Sequence, residues 1–338
     1  MRIGFNPHKD QEETKSEFYH QVIVPVYIPN FKGYFKDSFI IFKLCLQSIF
    51  DTTHNKTFIT IVNNGSCEIV KDYLNELFLQ GKIHEVIQTQ NIGKLNAILK
   101  GLAGNNIELV TVTDADVLFL QGWQSETIKI FSNVTKAGVV GIVPAFNLHK
   151  TNSFNLIFDN LFNPKMCFIP VKNPKSMTKF YESIGWNNNF NQNYLKYNLG
   201  FLHSENLTFL VGSSHFVATY KKDIFNNIIS NIPFKMGGNS ESFLDEKPLD
   251  KDYWRVTTYD NFAFHMGNTP EDWMFHVNDD LPNRKEENIP NNFNKLHEIS
   301  KLKFIIKNKL LQKILKNKFF YKMFLRYKKL PTIMVSNY

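Results

Sequence analysis

The most constraining feature of this chain is how short β-branched runs alternate with helix-spaced ones through its first 150 residues. "QVIVPVYI" (21–28), "TFITIVNN" (57–64), "HEVIQT" (84–89) and "IELVTVT" (107–113) read as strands. Between them, "KDSFIIFKLCLQSIFD" (36–51), "SCEIVKDYLNELFLQG" (66–81) and "KLNAILKGLAG" (94–104) space their apolar residues as helices do. Ser66 is the expected N-cap of the second helix and Gly81 its stop. "SETIKIFSNV" (125–134) and "GVVGIVPAF" (138–146) continue the pattern. Strands of this length between helices predict an α/β fold with a Rossmann-like, mostly parallel central sheet flanked by helices. Such sheets bind ligands beyond the carboxyl ends of their strands. Four polar clusters, at 25–27, 63–66, 91–94 and 114–116, fall at those ends.

Beyond residue 146 the pattern loosens. Residues 147–205 are irregular and include an Asn-rich loop, "WNNNFNQN" (186–193). "NLTFLVGSSHFVATY" (206–220) reads as strand, turn and strand, and "WRVTTYDNFAFHMGN" (254–268) resumes strand-like alternation. Gly and Ser between them suggest that "MGGNSESFLDEKPLDKD" (236–252) is a mobile loop. A chain of 338 residues, 43% hydrophobic, suffices for one large domain with an appendage. The expected division is a domain over 1–298 and a basic helical tail over 299–338. Within the domain, the nucleotide-binding part covers about 20–146 and the acceptor and catalytic part about 147–298.

The net charge of +8 has to be located before it is interpreted. Residues 299–338 hold eleven Lys and Arg and no Asp or Glu, leaving 28 basic against 31 acidic residues elsewhere. A mildly acidic body disfavours nucleic acid as a partner. The stretch 300–330 lacks Gly and Pro and should be helical. At 100° per residue its lysines fall on every side, so no single amphipathic stripe emerges. It is either a solvated or partner-packed helix, or a surface for an anionic membrane. No apolar signal segment opens the sequence, and no run of about 18 apolar residues occurs. Three cysteines without a CxxC spacing fit a reducing compartment rather than a zinc site or disulfide framework. The expected location is cytoplasmic, peripheral on the inner membrane face.

"VTVTDADVLFLQGW" (110–123) ends a strand on two carboxylates, Asp114 and Asp116. Aspartates after a strand commonly cap the next helix or turn. Paired carboxylates at a sheet rim also suit Mg²⁺ or Mn²⁺, hard ions that share oxygen ligands between protein and phosphates. The Asp-x-Asp nucleophile of dehalogenase-like phosphatases belongs on a first strand, and here the motif follows at least three. No Gly-Asp dipeptide is present to begin their late metal motif.

In order, "VIVPVYIPN", "ITIVNNGS", "NIGKLNAILKGL", "VTVTDADVLFLQGW" and "FAFHMGN" resemble the motifs of family-2-like glycosyltransferases of the GT-A fold, over most of residues 21–268. The resemblance implies a nucleotide-diphospho-sugar donor, UDP favoured, a divalent Mn²⁺ or Mg²⁺, and a glycan or lipid-linked acceptor in surface polysaccharide synthesis. It implies that Pro25, Val26 and Tyr27 line the nucleoside pocket. Asn63, Asn64 and Gly65 match the family's Asp-Asn-Gly-Ser turn, with Asn63 standing where the family often has a base-contacting acid. Asn91, Gly93 and Lys94 match a motif close to the diphosphate. A cation at a helix start is electrostatically unfavourable, and a nearby anion would explain Lys94. Asp114 and Ala115 would meet the nucleotide, Asp116 would bind the metal directly with Asp114 on ribose or metal, and His265 would complete the metal site. An isolated His in a strand-like stretch, as His265 is, is more often a hydrogen-bonded core residue. The resemblance also implies inversion at the anomeric centre and a base from an acidic pair ahead of the histidine, Asp245 or Glu246, with Asp250 behind. "PEDW" (270–273) reads as a helix start and "GSSHF" (212–216) as a turn beside the acceptor. The competing enzyme class is a sugar-phosphate nucleotidyltransferase, which wants a Gly-rich, basic loop after the first strand; "PVYIPNFKGYFKD" matches it poorly. A non-enzymatic glycan-binding domain would not need Asp114, Asp116 and His265 intact.

Overall fold

The computed structural model of the protein describes residues 4–6, 8–12, 16–186, 190–226, 228, 231–237, 241–277 and 293–338. Its first half runs β1 (His20–Val26), α1 (Ser38–Thr52), β2 (Thr57–Asn63), α2 (Glu68–Leu79), β3 (Glu85–Gln88), α3 (Lys94–Leu102), β4 (Leu109–Thr113), β5 (Val117–Phe119), α4 (Trp123–Asn133) and β6 (Ala137–Gly141). There follow α5 (Phe154–Asp159), β7 (Met166–Pro170), α6 (Pro174–Ser183), β8 (Tyr197–Ser204), β9 (Leu207–Val211), β10 (Val217–Lys221) and α7 (Ser242–Glu246). The chain closes with β11 (Trp254–Thr258), β12 (Ala263–His265), α8 (Trp273–His276), α9 (Lys301–Phe304), α10 (Leu311–Lys316) and α11 (Lys318–Tyr327).

Ten strands form one sheet in the order β3-β2-β1-β4-β10-β6-β11-β9-β8-β7. The predicted parallel set is intact, with β1 between β2 and β4 and β3 outside β2. β6 and β11 are also parallel. The strand between them and β4 is β10, which is antiparallel to both β4 and β6. This insertion brings the 212–216 turn to the rim where β4 ends, since Thr113 pairs with Val217. At the far edge β9, β8 and β7 pair antiparallel.

Both faces of the sheet are buried, as β-branched strands between helices require. Val22, Val24 and Val26 of β1 face α1 and α2, whose Ile41, Phe42, Leu46, Val70 and Leu74 lie in the same apolar cluster. Ile23 points to the other face, against Leu95 and Ile98 of α3. Gly81 lies just beyond α2 with φ 70°, in the left-handed region favoured by helix stops. Ser66 does not cap α2. Its hydroxyl accepts the Ile28 N–H at 2.9 Å and so ties the second strand-end loop to the first.

Two other expectations are revised. Within 236–252, residues 238–240 lie outside the described residues, and from Ser242 the chain is helical rather than a loop. Leu244, Pro248 and Leu249 bury there, and this burial overrides the loop-like composition. The basic stretch is helical but broken. A π-helical turn, Ile305–Leu310, joins α9 to α10, and Asn317 then turns extended and caps α11 with its side chain. One side of this segment belongs to the core, because Leu311, Phe324, Leu325, Leu330 and Met334 join a cluster with Met166, Phe168, Leu199 and Phe209. Lys307 is buried with it and pairs with Asp159 and Asp252, while Lys328 donates to the carbonyls of Asn160 and Asn163. Lysines therefore fall on every side because two of them are interior.

Candidate active site at the sheet rim

β4 ends at Thr113, and the chain turns through Asp114, Ala115 and Asp116 into β5. β5 leaves the large sheet and pairs with β12 in a two-stranded antiparallel sheet, with Val117 opposite His265. The Met266 N–H donates to the Asp116 carbonyl at 2.8 Å, which fixes that register at its end. This pairing brings the histidine to the aspartate across 149 positions of sequence. His265 Nε2 lies 3.5 Å from Asp116 Oδ2, a spacing close to that of two donors sharing one small cation. Asp116 Oδ1 and His265 Nδ1 are buried without a hydrogen-bond partner. Buried polar atoms are rarely left unsatisfied, and such an atom calls for a ligand or ion. Among the described residues no three His, Cys, Asp or Glu side chains converge on one point. Two protein donors suit Mg²⁺ or Mn²⁺ whose remaining ligands are diphosphate oxygens and water.

A cavity of about 460 Å³ opens beside this pair. Pro25, Val26, Tyr27, Asn64, Asn91, Lys94, Asp114, Ala115 and Asp116 all line it, so the four strand-end clusters do meet. Tyr34 and Phe35 add an aromatic wall, with the Phe35 ring 5.8 Å from Tyr27 and 5.2 Å from Tyr34. A wider cavity of about 590 Å³ lies beside α3 and the 231–235 segment. It has no carboxylate in its wall, and we place the chemistry in the smaller one.

A family model described as glycosyl transferase family 2 matches residues 41–212, just over half of the chain. The chain belongs to this family. No curated protein matches it. Similar solved structures include S. aureus TarS 1–349, at 13% identity and TM-score 0.43 over 74% of this chain and 60% of that one. The mannosyltransferase PcManGT from Pyrobaculum calidifontis, in complex with GDP-Man and Mn²⁺, has 15% identity and TM-score 0.44 over 78% of this chain and 61% of its own. GalNAc-T7 with UDP, GalNAc and Mn²⁺ has 10% identity and TM-score 0.44 over 73% of this chain and 44% of its own. The chain thus spans about 60% of the length of the first two.

In this family member the strand-end loops brace one another. Asn63 does not line the cavity. It is fully buried, its Oδ1 accepting the Ser66 N–H at 2.9 Å and its Nδ2 donating to Gln88 Oε1 at 2.7 Å. Asn64 Oδ1 accepts the Ile92 N–H at 2.9 Å, which links the second cluster to the third. Gly65 has φ 94°, and a Cβ there would lie 2.8 Å from the Asn91 nitrogen. Gly93 is similarly constrained, since a Cβ would meet the Lys235 backbone at 2.9 Å. The first amide of α3 is already used, the Lys94 N–H donating to the Lys235 carbonyl at 2.9 Å.

The electrostatics of the site form a chain of alternating charge. Lys94 Nζ lies 2.7 Å from Asp114 Oδ1 and 2.9 Å from Glu241 Oε1. Glu241 Oε2 lies 3.0 Å from His215 Nε2, and His215 Nδ1 lies 3.1 Å from Asp245 Oδ2. Asp245 pairs at its other oxygen with the fully buried Arg255, which also donates to the Ser213 carbonyl at 2.6 Å. Burial alone would lower the Lys94 pKa, but Asp114 and Glu241 outweigh it and hold the ammonium charged. Hydrogen bonds that His215 donates to Asp245 and Glu241 lift its pKa to about 9 against the pull of burial. His215, helped by Lys94, holds Glu241 down at about 2 despite partial burial. Burial pushes Asp116 up to about 6, with Asp114 adding to the rise while His265 and Lys94 oppose it.

The late acidic residues separate clearly. Asp245 is inside this chain of charges, Glu246 is exposed, and Asp250 pairs with Lys247 at 2.9 Å beside a different cavity. "PEDW" does begin a helix, with Asp272 preceding Trp273. The sequence reading missed Glu241, His215 as a charged group, Arg255, Tyr34 and Phe35. The aromatic pair was visible in "NFKGYFKD" directly after the first strand. The charged ones carry no local signal, because Lys94 and Glu241 are 147 positions apart.

Proposed function

We propose that this glycosyltransferase moves a sugar from a nucleotide-diphospho-sugar, UDP favoured, to a glycan or lipid-linked acceptor, with inversion, in surface polysaccharide synthesis at the cytoplasmic face of a membrane. The proposal keeps the division into a donor part over about 20–146, an acceptor part over about 147–298 and a basic segment over 299–338. The observation that carries it is the orphaned pair, Asp116 Oδ1 and His265 Nδ1, beside a cavity walled by Tyr27, Tyr34 and Phe35.

Asp116 and His265 are the residues to hold Mn²⁺ or Mg²⁺, with Asp114 toward the ribose or the ion. When bound, such an ion offsets the charge that develops on a departing diphosphate. Lys94, and Lys235 beside it on the same cavity wall, offer positive charge to the same group. Tyr27 and Tyr34 offer aromatic faces to the nucleobase. The acceptor hydroxyl needs a base, and beyond the two aspartates of the rim Glu241 is an acidic residue in contact with a cavity-lining side chain, Lys94, at 2.9 Å. A diphosphate that competes for Lys94 removes one of the two cations that hold Glu241 down, while His215, the larger influence, stays in place. Asp245 then holds His215 beneath it.

The test is nucleotide-sugar turnover with Mn²⁺, after a thermal-shift screen across donors. Release of nucleoside diphosphate is the expected result. Release of pyrophosphate from a nucleoside triphosphate plus sugar phosphate would establish the nucleotidyltransferase instead.

A further inference from the structure

The segment 299–338 has two apolar sides, and only one faces the protein. Phe304, Asn308, Leu311 and Leu315, spaced by three or four residues, lie inward. Opposite them, Leu302, Ile305, Ile306, Leu310 and Ile314 are exposed, Leu302 at 69%. α11 repeats the arrangement. Phe324 and Leu325 are buried, while Phe319, Phe320, Met323 and Tyr327 face out, Phe319 at 66%. Lys301, Lys309, Lys313, Lys316, Lys318, Lys322 and Arg326 are interleaved with these side chains and exposed, and none has an ion-pair partner among the described residues. The absence of a single stripe in the sequence therefore reflects two stripes on different sides. An exposed apolar array of this size, interleaved with unmatched cations, marks an interaction surface.

We propose that this outward surface seats the protein on an anionic phospholipid bilayer, with the aliphatic and aromatic side chains entering the headgroup boundary and the lysines reaching phosphates by snorkelling. Charge complementarity selects this occupant. Residues 299–338 hold eleven Lys and Arg and no Asp or Glu, so the segment carries charge of one sign throughout, and an anionic leaflet offers the opposite sign at every point of its surface. No helix among the described residues is long and apolar enough to cross a membrane, and the proposed contact is one that lies on the bilayer surface. The proposed transfer to a lipid-linked acceptor explains why such a surface is useful, but binding is measured without donor or acceptor and stands or fails separately.

Deleting the segment is the wrong experiment, because Leu311, Phe324, Leu325, Met334 and Tyr338 are core residues. The informative variants change exposed positions of the full chain. Flotation with phosphatidylglycerol–phosphatidylcholine vesicles should recover the wild-type protein, and pure phosphatidylcholine vesicles should not. Replacing Lys313, Lys316 and Lys322 with Gln should weaken binding by roughly 100-fold, at about fivefold per basic residue near the surface. The combination Phe319→Ser, Phe320→Ser and Met323→Ser should weaken it by at least ~10-fold, with circular dichroism and thermal midpoint unchanged. Equal recovery on neutral and anionic vesicles, or no loss in either variant, overturns the proposal. So does a wild-type dimer that the Ser variant converts to a monomer without any vesicle binding, which would make a second copy the occupant.

Discussion

The sheet rim and the C-terminal segment both gather basic side chains, and they treat them in opposite ways. At the rim, Lys94, His215 and Arg255 each lie against carboxylates in the sequence Asp114, Glu241, Asp245, so positive and negative groups alternate from the cavity into the interior. In 299–338 the inward Lys307 is matched by Asp159 and Asp252 and Lys303 reaches Asp252 at 3.8 Å, but Lys301, Lys309, Lys313, Lys316, Lys318, Lys322 and Arg326 have no such partner among the described residues. Paired charge tolerates desolvation and stays in place, which suits the site proposed to receive an anion and a cation together. Uncompensated charge stays in water until something outside the chain neutralises it. The same residue type thus marks a pre-built pocket in one place and a docking face in the other.

The comparison can be broken most severely at the orphaned carboxylate. Asp116→Ala should lower metal-dependent turnover by at least ~1,000-fold while the fold persists, measured as nucleoside diphosphate release against Mn²⁺ concentration. Next is the buried end of the charge chain. Arg255→Met leaves Asp245 without its buried partner and should cost about 3–5 kcal/mol, read from denaturant midpoints. Glu241→Gln tests the base itself, with kcat falling by roughly 100-fold and donor KM little changed. If Asp245→Asn produces that kinetic loss and Glu241→Gln does not, the proton goes to Asp245.

A smaller effect concerns pH. His215 is raised in the fold to about 9, so its contribution to stability is fully present below its unfolded value near 6.5 and is lost as pH rises through about 9. Glu241 has the opposite sign: lowered to about 2, it contributes above its unfolded value near 4.5 and the contribution disappears as pH falls. Urea midpoints of wild type should therefore decline between those alkaline limits, and His215→Gln should flatten that limb. The smallest change expected is Tyr34→Ala, a rise in donor KM of about 5- to 10-fold with kcat preserved.

Much of the donor side was legible. β1, β2 and β4 declared themselves by β-branched runs, and the polar residues just past their ends met in one cavity because a parallel sheet gathers those ends on one edge. Asp116 and His265 were legible as residue types, but their meeting depends on β5 leaving the main sheet to pair with β12. β10 was legible as a strand and illegible as a position, since its place between β4 and β6 is set by pairing across about a hundred residues of chain. The charge chain fared worst. Glu241 lies next to Gly and Ser residues that suggest a loop, while its partners Lys94 and His215 come from the start of a helix and a turn. For Asn63 the sequence shows a polar side chain at a rim but not that its neighbours Ser66 and Gln88 take up its amide.

The central claim is that Asp116 and His265 hold a divalent ion jointly with a nucleoside diphosphate. Calorimetric titration of Mn²⁺ into the protein, with and without UDP, tests it most directly. The account predicts that UDP tightens Mn²⁺ binding in the wild type and that Asp116→Asn and His265→Ala each abolish this coupling while UDP alone still binds weakly. Mn²⁺ binding that is indifferent to UDP, or that survives unchanged in both variants, would contradict it.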